Sequence, residues 1–352
     1  MSTTPRALSA STAGAAFEPV TIERRDLRPN DVRIAIAYAG ICHSDIHQVR
    51  EEWGRAQFPM VPGHEIAGVV TRIGSEVTKF QVGDRVGVGC FVDSCGECDM
   101  CQAGEEQFCT NRERGTVGTY NAIGRDGEPT AGGYSQAITV EQDYLMHIPD
   151  EMSLEHAAPL MCAGITTYSP LKHWGAGPGK KVAVIGLGGL GHVAVQLAAK
   201  MGAEVTAFGR TLAKRDDGLK LGATDYVATQ DVDAMKKLRN TFDIVVSTIS
   251  DGVELDTLIG LTRPHGVVVN LGLPSDGKAT FSLGRLINGN RVIAGSNIGG
   301  IRETQEMLDF CADNDVRPIV ESIPADEINE AYDNVVNSKV RYRYVIDTST
   351  MG

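Results

Sequence analysis

The sequence predicts an α/β chain in two parts: a mainly β, irregular first domain and a doubly wound parallel sheet after it. Two observations carry this. The first 150 or so residues are rich in Gly and β-branched residues, and short strand-like runs alternate there with turns. From near residue 180, continuous apolar runs alternate with stretches of helical spacing.

In the first part, DVRIAIAYAG (31–40), GVVTRIG (68–74) and DRVGVGCFV (84–92) read as strands. In the second, VAVIGL (182–187) is a buried-type strand, followed by a Gly-rich turn and a helical pattern through HVAVQLAAKMG. EVTAF (204–208), FDIVVST (242–248), GVVVNLG (266–272) and RVIAGS (291–296) continue the sheet. ETQEMLDFCADN (303–314) has helical apolar spacing. RYVID (343–347) is a strand beyond the last βα unit, so the tail is expected to rejoin the first domain. The expected division is 1–155 continued by 297–352, and 156–296.

The 352 residues are 42% hydrophobic, enough for a sizeable core. A net charge of −12 with no Lys/Arg-rich run disfavours nucleic acid and anionic lipid as partners. No apolar run reaches the ~18 residues of a membrane span. MSTTPRALSASTAG lacks the basic head and apolar stretch of a secretion signal, so a cytoplasmic location is expected.

Gly186-Leu187-Gly188-Gly189-Leu190-Gly191 is a G-x-G-x-x-G sequence between a strand and a helix. The first Gly permits a tight turn, the second a close backbone approach to a pyrophosphate, and the third close packing of helix on sheet. The helix N-terminus then offers free N–H groups to phosphate. The following strand selects the cofactor. An NAD-type site places Asp or Glu at its end to hold the ribose 2′-OH. Here Gly209, Arg210, Thr211 and Lys214 stand there instead. Gly209 leaves space, Arg210 and Lys214 can neutralise a 2′-phosphate, and Thr211 can hydrogen-bond it. NADP(H) is the expected cofactor; ordinary solvated surface charges are the alternative for Arg210 and Lys214.

Five of the eight cysteines fall between Cys90 and Cys109. In a large chain such density points to metal more often than to disulfides. Cys95, Cys98, Cys101 and Cys109, spaced C-x2-C-x2-C-x7-C, can close a tetrahedron around one Zn²⁺ with no open position, which makes a structural site. A disulfide pair or an iron–sulfur cluster would use the same residues. Cys90 falls outside the spacing and reads as a buried thiol.

Six motifs together complete a pattern: GICHSDIH (40–47), VPGHEIAGVV (61–70), the four-cysteine loop, CAGITTYSPL (162–171), GLGGLGH (186–192) and GSNIGGIRETQEMLDFC (295–311). Together they resemble the zinc-dependent medium-chain alcohol dehydrogenases, in particular the cinnamyl-alcohol-dehydrogenase-like branch with its bacterial broad-range aldehyde reductases. The resemblance covers nearly the whole chain. It implies a Rossmann domain joined to a GroES-like catalytic domain, two Zn²⁺ per chain, and interconversion of primary alcohols and aldehydes, aromatic or medium aliphatic.

By that resemblance Cys42, His64 and Cys162 hold the catalytic Zn²⁺ and leave a fourth position for water or substrate. Glu65 approaches the metal during exchange, and Asp45 orients the His64 imidazole. The alternative for Asp45 is a helix N-terminal carboxylate. Ser44 hydrogen-bonds the substrate oxygen, and His47 ends the proton relay, reached through the nicotinamide ribose hydroxyl. His43 faces the pyrophosphate. Thr166, Thr248, Gly272, Ser296, Asn297 and Ile298 complete the cofactor contacts. Trp53, Phe58 and Phe91 are the candidate substrate pocket. The resemblance also implies a homodimer, with RVIAGS (291–296) extending one sheet into its partner. Arg302 departs from the pattern, where relatives often carry a smaller residue. An NAD-linked polyol dehydrogenase would need the missing strand-end carboxylate. A non-catalytic NADP(H) sensor would have no use for the Ser44/His47 pair.

Overall fold

A computed structural model describes residues 4–352 except Arg112, Arg114, Asp251, Ser275 and Asp276. The chain forms two compact units. One comprises Met1–Ile165, Gly299–Asp313 and Arg317–Gly352; the other comprises Thr166–Ile298 and Asn314–Val316. The sequence reading places the divisions at 155/156 and 296/297. Continuous helix crosses the first of these, through Leu154–Pro159, Leu160–Gly164 and Ile165–His173.

The first unit is built on a seven-stranded sheet. Its central strand, Asp31–Gly40, pairs antiparallel with Ile66–Ile73, with Arg343–Asp347 and with Ala137–Glu141. Arg343–Asp347 is the expected RYVID strand, and it carries the parallel strand Val320–Pro324 at the sheet edge. Val32 and Ile34 are fully buried and Ile36 nearly so, as period-2 alternation on a sheet face requires. A hairpin of Arg6–Ala10 and Phe17–Thr21 adds Leu8 and Phe17 to a core shared with Tyr134, Tyr332 and Ile346.

One expectation fails here. Residues 84–92 form two strands, Arg85–Val88 and Phe91–Asp93, which belong to different sheets. The break falls at Gly89 and Cys90, where a Cβ on Gly89 would lie 3.1 Å from the Met161 carbonyl oxygen. The helical segment therefore packs against bare backbone, and the strand cannot run on through that point.

The second unit is a six-stranded, all-parallel sheet. In spatial order the strands are Asp225–Ala228, Glu204–Gly209, Lys181–Ile185, Phe242–Ser247, Thr262–Asn270 and Val292–Gly295. Numbered within the unit this is the doubly wound order 3-2-1-4-5-6. Val182–Ile185 and Val245–Val246 are wholly buried, which is why they read as unbroken apolar runs. Helix Gly191–Lys200 buries Val193, Ala194, Val195, Leu197 and Ala198 and leaves Lys200 exposed at its last turn.

Candidate active site and the two metal centres

Cys42 caps the helix His43–Val49. His64 and Glu65 directly precede strand Ile66–Ile73. Cys162 lies on a π-helical turn, Leu160–Gly164, set between two α-helical segments. Such turns widen a helix by one residue and push a side chain out of the regular ladder. The first unit brings these distant positions together: ligand atoms of Cys42, His64, Glu65 and Cys162 all lie within 4.8 Å of one another, and all four residues are buried. Cys42 Sγ and Cys162 Sγ are 4.0 Å apart. With Zn–S near 2.3 Å, a tetrahedral centre requires sulfurs about 3.8 Å apart. The pair is spaced for one such ion.

The surroundings are those of a cation site. Cys42 is pulled well below the ordinary thiol range by its hydrogen bond with Cys162 and by His64, despite burial. Burial works against charge on His64, but Asp45 overrides it and raises the imidazole pKa. Asp45 is completely buried. Its carboxylate takes Nδ1 of His64 at 2.9 Å, the N–H of Gly63 at 3.3 Å and the N–H of Cys42 at 3.0 Å. The Tyr134 hydroxyl donates to it at 3.1 Å and is itself held by the Tyr332 hydroxyl at 3.2 Å. With Nδ1–H donated to Asp45, Nε2 keeps its lone pair for a metal. Asp45 is also the helix N-terminal carboxylate, through the capping box with Cys42. The two readings of this residue coincide.

Glu65 faces Arg343, whose Nη2 donates to both carboxylate oxygens. Burial opposes charge on Arg343, yet the Glu65 carboxylate holds its pKa above the ordinary value. Cys90 as a residue is half-buried, with its thiol turned inward beside the cluster, 4.0 Å from the Met161 carbonyl oxygen.

Ser44 Oγ lies 3.6 Å from Cys42 Sγ. His47 follows Ser44 by three residues on the same helix, and its Nδ1 hydrogen-bonds Glu52. The Trp53 ring stacks on His47, centroids 4.7 Å apart, and remains 40% exposed. His43 is exposed, its ring 5.2 Å from that of His47. Phe58 packs against the apolar core of this unit. Phe91 is buried, edge-on to Tyr144. It opens strand Phe91–Asp93 with its side chain turned inward.

The second cluster is local. Sγ atoms of Cys95 and Cys101 are 3.9 Å apart, Cys98 and Cys101 3.5 Å, and Cys98 and Cys109 4.0 Å. These are again the spacings of a tetrahedral thiolate site. The N–H groups of Glu97 and Cys98 point at Cys95 Sγ, at 3.5 and 3.3 Å. Backbone N–H groups of Cys101 and Thr110 lower the Cys98 thiol to about 5. None of the eight cysteines is joined in a disulfide, so no disulfide competes for these thiols. Arg302 donates to the Ala103 carbonyl and ties helix Ile301–Asp313 to this loop. That contact accounts for the unusual residue.

In the second unit, Gly186 takes φ +96° at the end of the first strand, and a Cβ on Gly191 would overlap the Gly186 carbonyl oxygen. These are the tight turn and the close packing that the motif requires. Several bonds hold the loop. The Thr248 hydroxyl lies 2.9 Å from the Ile185 carbonyl oxygen and 3.1 Å from that of Gly186. His192 Nδ1 lies 3.0 Å from the Gly188 carbonyl, and Lys214 Nζ donates to the Leu187 carbonyl at 2.9 Å. Leu190 precedes the helix as its N-cap, and Gly189 remains within the turn. Arg210 and Thr211 are exposed beyond Gly209. The Asn270 amide donates to the Gly272 carbonyl, where the backbone passes close to Ile249. Ser296, Asn297 and Ile298 follow the last strand, Ile298 at φ +41°. Thr166 is buried on helix Ile165–His173.

Arg343, Tyr134, Tyr332 and Glu52 are absent from the sequence reading. Arg343 leaves a trace in the sequence, because an Arg opening a strand whose centre, Tyr344 to Ile346, is apolar invites a buried partner. The tyrosines leave none.

Residues 28–150 match the alcohol dehydrogenase GroES-like domain and residues 189–313 the zinc-binding dehydrogenase domain. The chain is 59% identical to NADP-dependent alcohol dehydrogenase C 1 of Mycolicibacterium smegmatis, over 98% of this chain and 99% of that one. It is 48% identical to the aldehyde reductase YahK of Escherichia coli, over 98% and 99%. A cinnamyl alcohol dehydrogenase of Sorghum bicolor shares its fold with a TM-score of 0.94 at 38% identity, covering 99% of this chain and 98% of that one. The chain belongs to the zinc-dependent medium-chain alcohol dehydrogenase family, in its cinnamyl-alcohol-dehydrogenase-like branch.

Proposed function

We propose that this protein interconverts primary alcohols and aldehydes with NADP(H), using one zinc for catalysis and one for structure. The convergence of Cys42, His64, Glu65 and Cys162 on one buried point carries the reading. A bound zinc supplies Lewis acidity toward a substrate oxygen, and a bound nicotinamide supplies or accepts the hydride.

The chain's own residues do the rest. Cys42, His64 and Cys162 hold the metal, and Asp45 keeps the imidazole in the coordinating tautomer. Glu65 is tethered by Arg343 within reach of the ligand atoms and would offer the metal a further carboxylate donor. Ser44 takes the substrate's hydroxyl proton or returns it. His47, one turn along the same helix face, passes that proton to solvent, with Glu52 fixing its ring. Trp53 walls the relay and is the pocket residue we retain beside Phe58.

Gly186 to Gly191 and Thr248 form the pyrophosphate turn. Arg210, Thr211 and Lys214 receive the 2′-phosphate. Gly272, Ser296, Asn297, Ile298 and Thr166 take the nicotinamide half. We further propose a homodimer. Val292–Gly295 is an open sheet edge, and Leu283, Ile287 and Val292 are exposed beside it at 65%, 72% and 39%. No described helix is long and apolar enough to cross a membrane. Eight cysteines without a disulfide suit the reducing cytoplasm we propose for this chain.

The test is Ser44→Ala assayed over an aldehyde panel with NADPH and with NADH. The wild type turns over aromatic and medium aliphatic aldehydes with NADPH. The variant keeps its zinc and loses roughly 10²–10⁴-fold in kcat, the usual worth of a positioned proton-transfer group. Wild-type turnover in the variant removes Ser44 from the mechanism.

A further inference from the structure

We propose that Tyr226 enforces the choice of a 2′-phosphorylated cofactor, by occupying the place where an NAD-type carboxylate would stand and by fixing the turn that meets the phosphate. The inference rests on the NADP(H) reading and names a specificity residue behind it.

Strand Asp225–Ala228 lies parallel to Glu204–Gly209, with Ala207 opposite Tyr226 and Gly209 opposite Ala228. The Tyr226 side chain is buried, with 4% exposure. A Cβ on Gly209 would overlap the Tyr226 hydroxyl oxygen and lie 3.0 Å from its Cζ. A Cβ on Gly218, in helix Arg215–Lys220, would lie 2.8 Å from Cδ2 of the same ring. The ring is thus threaded between two glycines on two elements. A buried ring held on both sides cannot swing away to admit a side chain.

The hydroxyl has a further task. It donates to the Thr211 carbonyl at 3.2 Å. Thr211 caps the short turn Leu212–Lys214. The bond sets the direction of the backbone from Gly209 to Thr211, and Arg210 and Thr211 project outward from it. A dinucleotide with a free 2′-hydroxyl needs a carboxylate at this strand end. Tyr226 removes the room for that carboxylate and braces the cationic turn that replaces it. Gly209 and Tyr226 therefore act as a pair. Changing the glycine alone does not convert the site.

The test is calorimetric titration of the purified zinc-loaded protein with 2′-phospho-ADP-ribose and with ADP-ribose, alongside circular-dichroism melting. Four proteins are compared: wild type, Tyr226→Phe, Gly209→Asp and Gly209→Asp/Tyr226→Ala. In Tyr226→Phe, affinity for the 2′-phosphorylated ligand falls roughly 3–10-fold, as for one lost hydrogen bond, while ADP-ribose binding holds. Gly209→Asp weakens both ligands. The double variant binds ADP-ribose at least about tenfold more tightly than Gly209→Asp alone, because the carboxylate now has space to reach the 2′-hydroxyl. An unchanged ligand ratio in a folded Tyr226→Phe, or equal ADP-ribose affinity in the single and double Gly209 variants, overturns the inference and leaves the NADP(H) reading standing. A wild type that binds both ligands equally overturns the reading and the inference together.

Discussion

The two metal clusters of the first unit reach similar sulfur spacings by opposite routes. The structural cluster is drawn from one short loop, Cys95 to Cys109, and braces itself with backbone N–H groups on its own sulfurs. The cluster proposed as catalytic joins Cys42 to Cys162 across 120 residues. It is braced by side chains: Asp45 on His64, Tyr134 on Asp45, Tyr332 behind Tyr134, and Arg343 on Glu65. A loop can close a saturated site by itself, since few residues must be ordered to do it. A site that keeps one position open needs rigid walls to stop a fourth ligand from collapsing in, and only a folded core supplies them.

The sharpest break of this comparison is Cys162→Ala. Zinc content falls from about two per chain to about one, and kcat/KM falls by at least about 10³, the equivalent of several kcal/mol of charge stabilisation. Secondary structure by circular dichroism is retained, because the strands around the site are held by their own core. Unfolding of this variant at room temperature contradicts the division drawn here. The next effect is Cys109→Ser. It also lowers zinc to about one per chain, but its main cost is thermal, roughly 5–10 °C of midpoint, since structural zinc contributes folding energy directly. If activity falls as far as in Cys162→Ala while the midpoint holds, the roles are reversed. The smallest effect sharpens the bracing network. Asp45→Asn retains zinc 10–100-fold more weakly in competition with a chelator, a range typical of partners that orient a ligand imidazole; Tyr134→Phe loses only about 2–5-fold, near 1 kcal/mol for one hydrogen bond. Equal retention in both would mean that the carboxylate does not orient the imidazole.

The same contrast governs how much was readable in advance. The four-cysteine spacing, the glycine turn and the absent strand-end carboxylate are local facts, and each can be read from a few consecutive residues. The catalytic ligands could be named only through likeness to a family, because nothing in the spacing of Cys42, His64 and Cys162 makes them neighbours. The strand at 84–92 misled because alternation continues through Gly89 and Cys90, while packing against Met161 ends the strand there.

By itself the sequence determined the parallel, doubly wound character of the second unit, though not its edge strand Asp225–Ala228, together with the glycine turn and the thiolate loop, since each follows from periodicity or from residues within one loop's reach. Only the tertiary structure decided that a π-helical turn presents Cys162, that Arg343 meets Glu65, and that Tyr226 fills the space left by Gly209. Those contacts depend on strand register and on which face is buried, and a one-residue shift in pairing would turn every side chain of the strand to the other side.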